Sequence, residues 1–159
     1  MGSEIGQYEE WNYAGSIRWD LLQWDVHSKL QLLVKELNRF YRANPSLYEV
    51  DFTWPGFEWI DFSDSEHSVI AFIRRATDRG DYLLFCCNFT PQVLKGYEFG
   101  VPDEGFYQEV FNTDAEMFGG SNVGNFPGVE TRNRPRHGRK NSIAITLPPL
   151  AIVVFRHKG

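Results

Sequence analysis

Three closely spaced carboxylate pairs are the residues whose types and spacing fit acid–base chemistry. They are Asp61/Asp64, Asp103/Glu104 and Asp114/Glu116. Glycoside chemistry uses two carboxylates about 5 to 9.5 Å apart across a cleft, one of them kept protonated by its surroundings. Each pair instead lies in a predicted turn beside Gly, Ser or Pro, where carboxylates cap backbone amides or face solvent. We therefore expect caps and not an acid–base pair.

The histidines and cysteines do not have the spacing of a metal site. The four histidines, His27, His67, His137 and His157, are far apart, and none has an i, i+4 partner. The adjacent Cys86 and Cys87 lie in an apolar run, where strand alternation directs them to opposite faces as ordinary buried residues. The sequence also lacks a phosphate-binding Gly-rich loop and a Gly-x-Ser-x-Gly elbow. We expect no metal, no cofactor and no self-contained active site.

A local basic run surrounds His137 and consists of Arg132, Arg134, Arg136, Arg139 and Lys140. Such a run can bind phosphate or nucleic acid. It lacks interleaved aromatic residues and lies between a Pro/Gly loop and a strand, so a solvated loop is the alternative. The whole chain is acidic, because 16 basic and 21 acidic residues give 16 − 21 = −5. Nucleic acid and anionic membranes repel an acidic chain, so neither is an expected partner.

The aromatic content of 16% is high and allows two interpretations. The residues concerned are Trp11, Tyr13, Trp19, Trp54 and Trp59. Sugar rings stack their CH faces on exposed Trp and Tyr, so these side chains can form glucan platforms. Alternatively, large aromatic side chains bury the amino-terminal arm and a helix against a scaffold. Composition alone leaves both interpretations open.

The apolar pattern divides the chain into an irregular arm over 1–25, one helix and a β-rich remainder. Apolar residues at helical spacing predict an amphipathic helix over 26–43, which ends before Pro45. After Pro55 the period changes to 2 and predicts seven short strands. These are 57–62, 68–75, 82–89, 97–101, 106–112, 142–147 and 150–155. Segment 78–81 has the composition of a hairpin turn, and Pro148-Pro149 that of a rigid corner.

The predicted fold class is therefore mainly β: an antiparallel β-sandwich preceded by an irregular arm and one amphipathic helix. A chain of 159 residues is large enough to bury a sizeable core. No secretory signal is visible, and no apolar stretch approaches the roughly 20 residues needed to span a bilayer. We expect a soluble, cytoplasmic protein.

Several short stretches, taken together and in order, have a recognisable pattern. They are MGSEIGQ (1–7), EWN (10–12), SIRW (16–19), LVKELN (33–38), YR (41–42), GFEW (56–59), NFTP (88–91), NTDAEMFGGSNVGN (112–125), HGR (137–139) and TLPPLA (146–151). In these stretches the chain resembles the carboxyl-terminal part of the 1,4-α-glucan (glycogen) branching enzymes of the α-amylase superfamily. That resemblance covers nearly the whole chain.

The resemblance implies a fold and an activity. Such enzymes have a catalytic (β/α)8 barrel followed by an all-β domain, so 1–50 would be the barrel's last loop and helix and 51–159 the all-β C-terminal domain, of the α-amylase type. The enzymes transfer an α-1,4-glucan segment to a 6-hydroxyl in glycogen biosynthesis, through an Asp nucleophile and a Glu acid–base, without a cofactor. Those carboxylates would precede Met1. No catalytic residue is therefore assigned here, and the chain alone is expected to be inactive.

The resemblance also implies which residues approach the substrate. Active sites of barrels are built from loops at the carboxyl ends of strands, so the loop with Gln7, Glu10, Trp11 and Asn12 would face the cleft. Trp59 is a further candidate for glucan binding. The sequence departs from the family where Tyr13-Ala14 replaces the common His-Asp, which puts polar contacts of that pair in doubt.

Two functions from different classes follow. The first is a non-catalytic, stabilising part of a branching enzyme that meets α-glucan (glycogen or amylose) through the parent protein. The alternative is a free-standing glucan-binding module that uses exposed aromatic side chains.

If the chain is part of a branching enzyme, the bare apolar helix face with Trp19 and Trp24 is expected to drive self-association. The loop 112–125 is expected to fix a connection in the sandwich, with Asn112 and Asp114 bonding nearby amides; contact with glucan is the lesser interpretation.

Overall fold

The computed structural model describes residues 2–10 and 12–159, so Met1 and Trp11 lie outside it. One α-helix in this part of the chain, α1, spans Asp25–Ala43, and short 3₁₀ turns lie before and after it. Eight strands follow. They are β1 (Phe57–Asp64), β2 (Val69–Arg75), β3 (Tyr82–Asn88), β4 (Leu94–Val101), β5 (Phe106–Asn112), β6 (Gly128–Glu130), β7 (Asn141–Leu147) and β8 (Ala151–Lys158).

Helix α1 confirms the amphipathic helix predicted over 26–43. It ends at Ala43 because Asn44 takes extended dihedral angles ahead of Pro45. The Asn44 side chain also donates to the Phe40 carbonyl and so satisfies one of the last free carbonyls. Phe40 packs on Phe111 of β5 with ring centroids 5.0 Å apart. The helix therefore lies against the outer side of the strand domain.

The strands form an antiparallel sandwich, as predicted. A six-stranded sheet has the order β1-β2-β3-β8-β5-β6, and β4 and β7 form a two-stranded sheet opposite it. All seven predicted strands are present. Strand β6 was missed because its three residues are too short to display an alternating pattern. The 78–81 turn joins β2 to β3, where the Asp81 amide donates to the Asp78 carbonyl at 3.0 Å.

The core lies between the two sheets and is built from alternate residues of each strand. In β2 the inward residues Val69, Ala71 and Ile73 are almost completely buried. The largest buried side chains are Tyr82, Tyr107, Phe99 and Phe155. The two tyrosine hydroxyls meet at 2.7 Å, which satisfies their polar atoms inside the core.

The two cysteines confirm the interpretation as buried strand residues. Cys86 and Cys87 are free and buried on β3, with Cys86 in the core between the sheets. Burial raises the pKa of Cys87 to about 11 and that of Cys86 well above its usual value. Both thiols therefore stay protonated and unreactive at neutral pH.

Candidate functional site

Two of the four predicted site residues of the arm lie at a small pocket. Gln7 and Asn12 line a cavity of about 200 Å³ together with Arg18. Gln7 accepts a hydrogen bond from the Arg18 amide at 3.2 Å, and Asn12 accepts one from the Ala14 amide at 3.0 Å. Glu10 is exposed and does not line this cavity, and Trp11 lies outside the described residues. The pocket is thus held by local hydrogen bonds.

The arm is held on the helix by a buried histidine. His27 Nδ1 lies 2.6 Å from the Ile5 carbonyl oxygen and must donate its proton to that acceptor. Its Nε2 then accepts from the Tyr8 hydroxyl at 3.0 Å. Ile5 itself is completely buried. These contacts fix the segment that carries Gln7 over the first turns of α1.

Trp59, the fifth predicted site residue, lies in a separate aromatic groove. This groove has a volume of about 830 Å³. It is lined by Trp54, Pro55, Phe57, Glu58, Trp59, Arg75, Arg79, Gly80, Pro102 and Asp103. Trp54 is 92% exposed and Trp59 is 46% exposed. The structure therefore places Gln7 and Asn12 at one cavity and Trp59 at another.

Stacked rings support the aromatic groove from beneath. Phe57 of β1, Phe72 of β2 and Phe85 of β3 lie side by side, with centroid separations of 5.3 and 4.9 Å. Trp59 meets Phe57 edge to face at 4.8 Å. An indole held in this way loses little rotamer freedom on contact with a ligand, so the groove offers a rigid apolar surface.

The tryptophans do not form the core. Trp19 and Trp24 are 55% and 60% exposed, and Trp54 and Trp59 are exposed as well. Within the described part of this chain, none of these four tryptophans is buried, and burial of the arm and helix against a further domain stays a prediction. The core between the sheets is built mainly from aliphatic side chains, together with two tyrosines and two phenylalanines.

The aspartates of two carboxylate pairs, Asp61/Asp64 and Asp114/Glu116, cap backbone amides, as predicted. Asp61 accepts from the Ser63 amide at 2.9 Å, and Asp64 from the His67 amide at 3.0 Å. The hydrogen bond from the Tyr97 hydroxyl, followed by the one from the His67 amide, lowers the pKa of Asp64. Asp103 accepts from the Tyr82 hydroxyl at 2.9 Å. The lowered pKa of Asp64 is the opposite of the raised pKa that keeps a general acid protonated.

The basic run pairs with acidic residues of the chain itself. Arg134 and Arg136 both contact Glu98, at 2.7 and 2.8 Å, and His137 Nε2 lies 3.4 Å from Asp61. Arg139 binds Glu58 of β1. Burial raises the pKa of Glu58, but contacts with Arg75 and Arg139 outweigh burial and lower it. Strand β1 is one edge of the large sheet, so these side-chain contacts attach the basic run to an edge strand.

The loop 112–125 is a fixed connection, as predicted. Asp114 accepts from the amides of Ser121 and Val123 at 2.9 and 3.0 Å, and Asn112 accepts from the Asp114 amide at 2.9 Å. The prediction missed Asn125, whose side chain donates to the Thr146 carbonyl and accepts from the Thr146 amide on β7. No local signal marks such a contact, because the two residues are 21 positions apart.

A second polar cavity of about 640 Å³ lies beside β1. Its lining consists of Asp61, Asp64, His67, Lys95, Gly96, Tyr97, Glu98, Arg134, Arg136 and His137. Within the described part of the chain, no group of three or more His, Cys, Asp or Glu side chains is placed to hold a metal ion. No described helix is long and apolar enough to cross a membrane.

Comparison with known families bears directly on this domain. The family model of the alpha amylase C-terminal all-beta domain matches residues 59–158, which is most of the chain and nearly all of the strand region. The chain belongs to the family of alpha-amylase C-terminal all-beta domains. Its match begins within β1 and ends with β8, so the family corresponds to the sandwich described above.

Similar proteins extend the match to the arm and helix. The chain is 50% identical over 157 residues to the 1,4-alpha-glucan branching enzyme GlgB of Parasynechococcus marenigrum (strain WH8102). The aligned residues are 99% of this chain. It is 48% identical over 159 residues to the enzyme of the same name from Prochlorococcus marinus (strain NATL1A), covering 100%. The matched part is 20% and 21% of those relatives, so the chain spans about a fifth of their length.

Proposed function

We propose that the chain is the non-catalytic C-terminal part of a 1,4-α-glucan branching enzyme. The observation that carries this proposal is the 48–50% identity over essentially the whole chain, arm and helix included, to relatives named as branching enzymes. The parent protein would transfer an α-1,4-glucan segment to a 6-hydroxyl in glycogen biosynthesis in the cytoplasm. This part would stabilise the catalytic domain.

The carboxylates support a non-catalytic role. Retaining transfer between sugars needs a nucleophilic carboxylate and a second carboxyl about 5 to 5.5 Å away across a cleft. In the candidate pairs, Asp61, Asp64, Asp103 and Asp114 are occupied by hydrogen bonds within the chain. A carboxylate that already stabilises a turn is poorly placed to attack a sugar carbon, so the bond-making groups would come from the rest of the parent enzyme.

The helix supports the proposed division into a barrel remnant over 1–50 and an all-β domain over 51–159. His27 is the one buried residue of α1, while Val26, Leu37 and Tyr41 are 69%, 41% and 48% exposed. A helix that packs only within this chain would bury its apolar stripe more completely. The exposed apolar residues fit a helix that also contacts a neighbouring catalytic domain.

The test is an assay of the purified chain on linear amylose. No new α-1,6 linkages should appear by ¹H NMR, whereas a full-length relative assayed in parallel should produce them. Formation of branches by this chain alone would overturn the non-catalytic role.

The aromatic groove favours a second candidate function, a glucan-binding module. Exposed Trp54 and Trp59 offer ring faces for the CH faces of sugars, and Arg79, Glu58 and Asp103 offer polar groups at the groove wall. Gln7, Glu10, Trp11 and Asn12 stay proposed glucan contacts at the arm. They would act in the parent enzyme, whose catalytic cleft the arm would approach.

Affinity electrophoresis in glycogen separates the two candidates. A binding module should be retarded, and the Trp59→Ala variant should lose most of the retardation. The matched control is Trp24→Ala, which removes another exposed indole at the start of α1. Retardation lost in both variants, or absent from the native chain, would argue against the groove as a glucan site.

A further inference from the structure

The polar cavity beside β1 has no part in the proposed function. It lies between the turn that follows β1, the start of β4 and the basic run. Its volume of about 640 Å³ falls in the range of small-molecule sites, roughly 300 to 1,000 Å³. Its charged lining is formally balanced between three acidic and three basic side chains, so the distribution of hydrogen-bonding capacity decides which ligand fits.

The acidic side chains of this cavity are already engaged. Each carboxylate oxygen of Asp61, Asp64 and Glu98 faces a donor within the protein. The donors are Ser63 and His137 for Asp61, His67 and Tyr97 for Asp64, and Arg134 and Arg136 for Glu98. The three carboxylates are also withdrawn from solvent, since their side chains are only 12%, 20% and 11% exposed.

The basic side chains, in contrast, retain free donors. Lys95 is exposed and has no hydrogen-bond or ion-pair partner within the part of the chain that the structure describes. Arg136 uses its Nε on Glu98, which leaves both Nη atoms available, and Arg134 uses only Nη1. These two side chains are 47% and 61% exposed. Both guanidinium groups bind one carboxylate, so their free N–H groups lie close together.

From this asymmetry we infer that the cavity binds a phosphate group, either as the free anion or as part of a phosphomonoester. The cavity offers free donors from three cations and no free carboxylate oxygen, so a ligand rich in acceptors completes its hydrogen bonds. A phosphate accepts from guanidinium and ammonium groups through charge-assisted bonds, which are stronger than bonds between neutral groups. Glu98 holds the two arginines in place before the ligand arrives, which reduces the entropy cost of binding. This site does not depend on the proposed glucan function.

The test is a titration of the ¹⁵N-labelled chain followed by NMR. The probes are inorganic phosphate, glucose 6-phosphate and, as the neutral counterpart, glucose. The two phosphates should shift the amide signals of His67, Gly96 and Tyr97, and the effect should weaken as NaCl is added. Tighter binding of glucose 6-phosphate than of inorganic phosphate would identify the ligand as a sugar phosphate. Tighter binding of inorganic phosphate would identify the ligand as the free anion.

Two lysine variants make the test specific. Lys95→Gln should weaken phosphate binding about tenfold, because a hydrogen bond to a charged group is lost. Lys140→Gln is the matched control: it removes the same charge from the basic run at a residue that does not line the cavity. Equal weakening in both variants would show diffuse attraction. That result would contradict the proposed phosphate site. The absence of shifts at tens of millimolar phosphate, or equal shifts with glucose, would contradict it as well.

Discussion

At the scale of single residues, the acidic side chains along β1 have a structural task. Glu58, Asp61 and Asp64 follow one another on the edge strand and bind Arg139, His137 and Tyr97 in turn. The partners come from β4 and from the basic run. These contacts attach the edge of the large sheet to the opposite side of the sandwich, where backbone pairing is absent.

A pH dependence of stability follows from Asp64. Its pKa in the folded chain is lowered, first by the Tyr97 hydrogen bond, from an ordinary value of 3.8. The unfolded state therefore takes up a proton first as the pH falls, so the stabilisation is complete above about pH 5 and is lost as the pH drops through and below 3.8. Urea unfolding between pH 7 and pH 3 measures this loss.

The Asp64→Asn variant identifies the group responsible. It should be less stable than the native chain at pH 7, and its stability should fall less steeply between pH 5 and 3 in the same titration. Asp78→Asn is the control, since Asp78 lies in an exposed turn and contacts the Gly80 amide. A native-like pH slope in Asp64→Asn would contradict the assignment.

The sequence predicted the local caps formed by carboxylates but not their distant partners. Caps such as Asp61 to the Ser63 amide or Asp64 to the His67 amide lie within a few residues, and turn chemistry makes them visible. The Arg139–Glu58 contact joins residues 81 positions apart, and only the folded sandwich brings them together. The basic run therefore resembled a binding patch in the sequence, although most of it pairs internally.

At the scale of elements, the loop 112–125 is fixed where two parts of its backbone lie in close contact. A Cβ atom on Gly120 would lie 2.2 Å from the Asp114 carbonyl oxygen, which is a backbone atom held by the turn. The Asn122 amide donates to that same carbonyl at 2.8 Å. The loop thus requires glycine at position 120 to close on itself.

Gly120→Ala should therefore destabilise the chain by about 1–3 kcal/mol, the usual cost of forcing extra atoms into a packed site. The measurement is the midpoint of urea unfolding at constant m-value. Gly80→Ala is the control, because its added Cβ would meet only Asp78 Oδ1 at 3.4 Å. A Gly120→Ala chain as stable as the control would show that the loop relaxes freely.

Elements with a strong hydrophobic period were predictable from the sequence. Elements too short to show a period were not. The 3.6 period of α1 and the period of 2 in seven strands matched the structure, because each pattern extends over several residues. Strand β6 and the 3₁₀ turns of the arm were missed, since three to five residues are too few for a period. Among the predicted glucan residues, Gln7 and Asn12 lie at one cavity and Trp59 at another for a related reason: sequence order does not give distance.

At the scale of the whole molecule, the isolated chain exposes large apolar side chains near the start of its helix. Trp19, Trp24 and Val26 are all more than half exposed near the start of α1. Large exposed apolar surface tends to be covered by another molecule or domain. We propose that the isolated chain self-associates through this surface.

Light scattering at increasing protein concentration tests that proposal. The apparent mass should rise above 18.5 kDa, and a Val26→Lys/Trp24→Ser double variant should return it toward the monomer value. Phe62→Ser, an exposed aromatic residue on β1, is the control and should leave association unchanged. A native chain that stays monomeric at high concentration would contradict the proposal.

The central claim, that this chain stabilises a branching enzyme without supplying its chemistry, is tested most directly by a hybrid protein. Its 157 matching residues replace the corresponding segment of the Parasynechococcus marenigrum enzyme, and α-1,6 linkages formed from amylose are measured by ¹H NMR. We predict branching within about tenfold of the parent rate, and loss of activity when the segment is deleted. A folded hybrid without branching activity, or a deletion variant with full activity, would contradict the account.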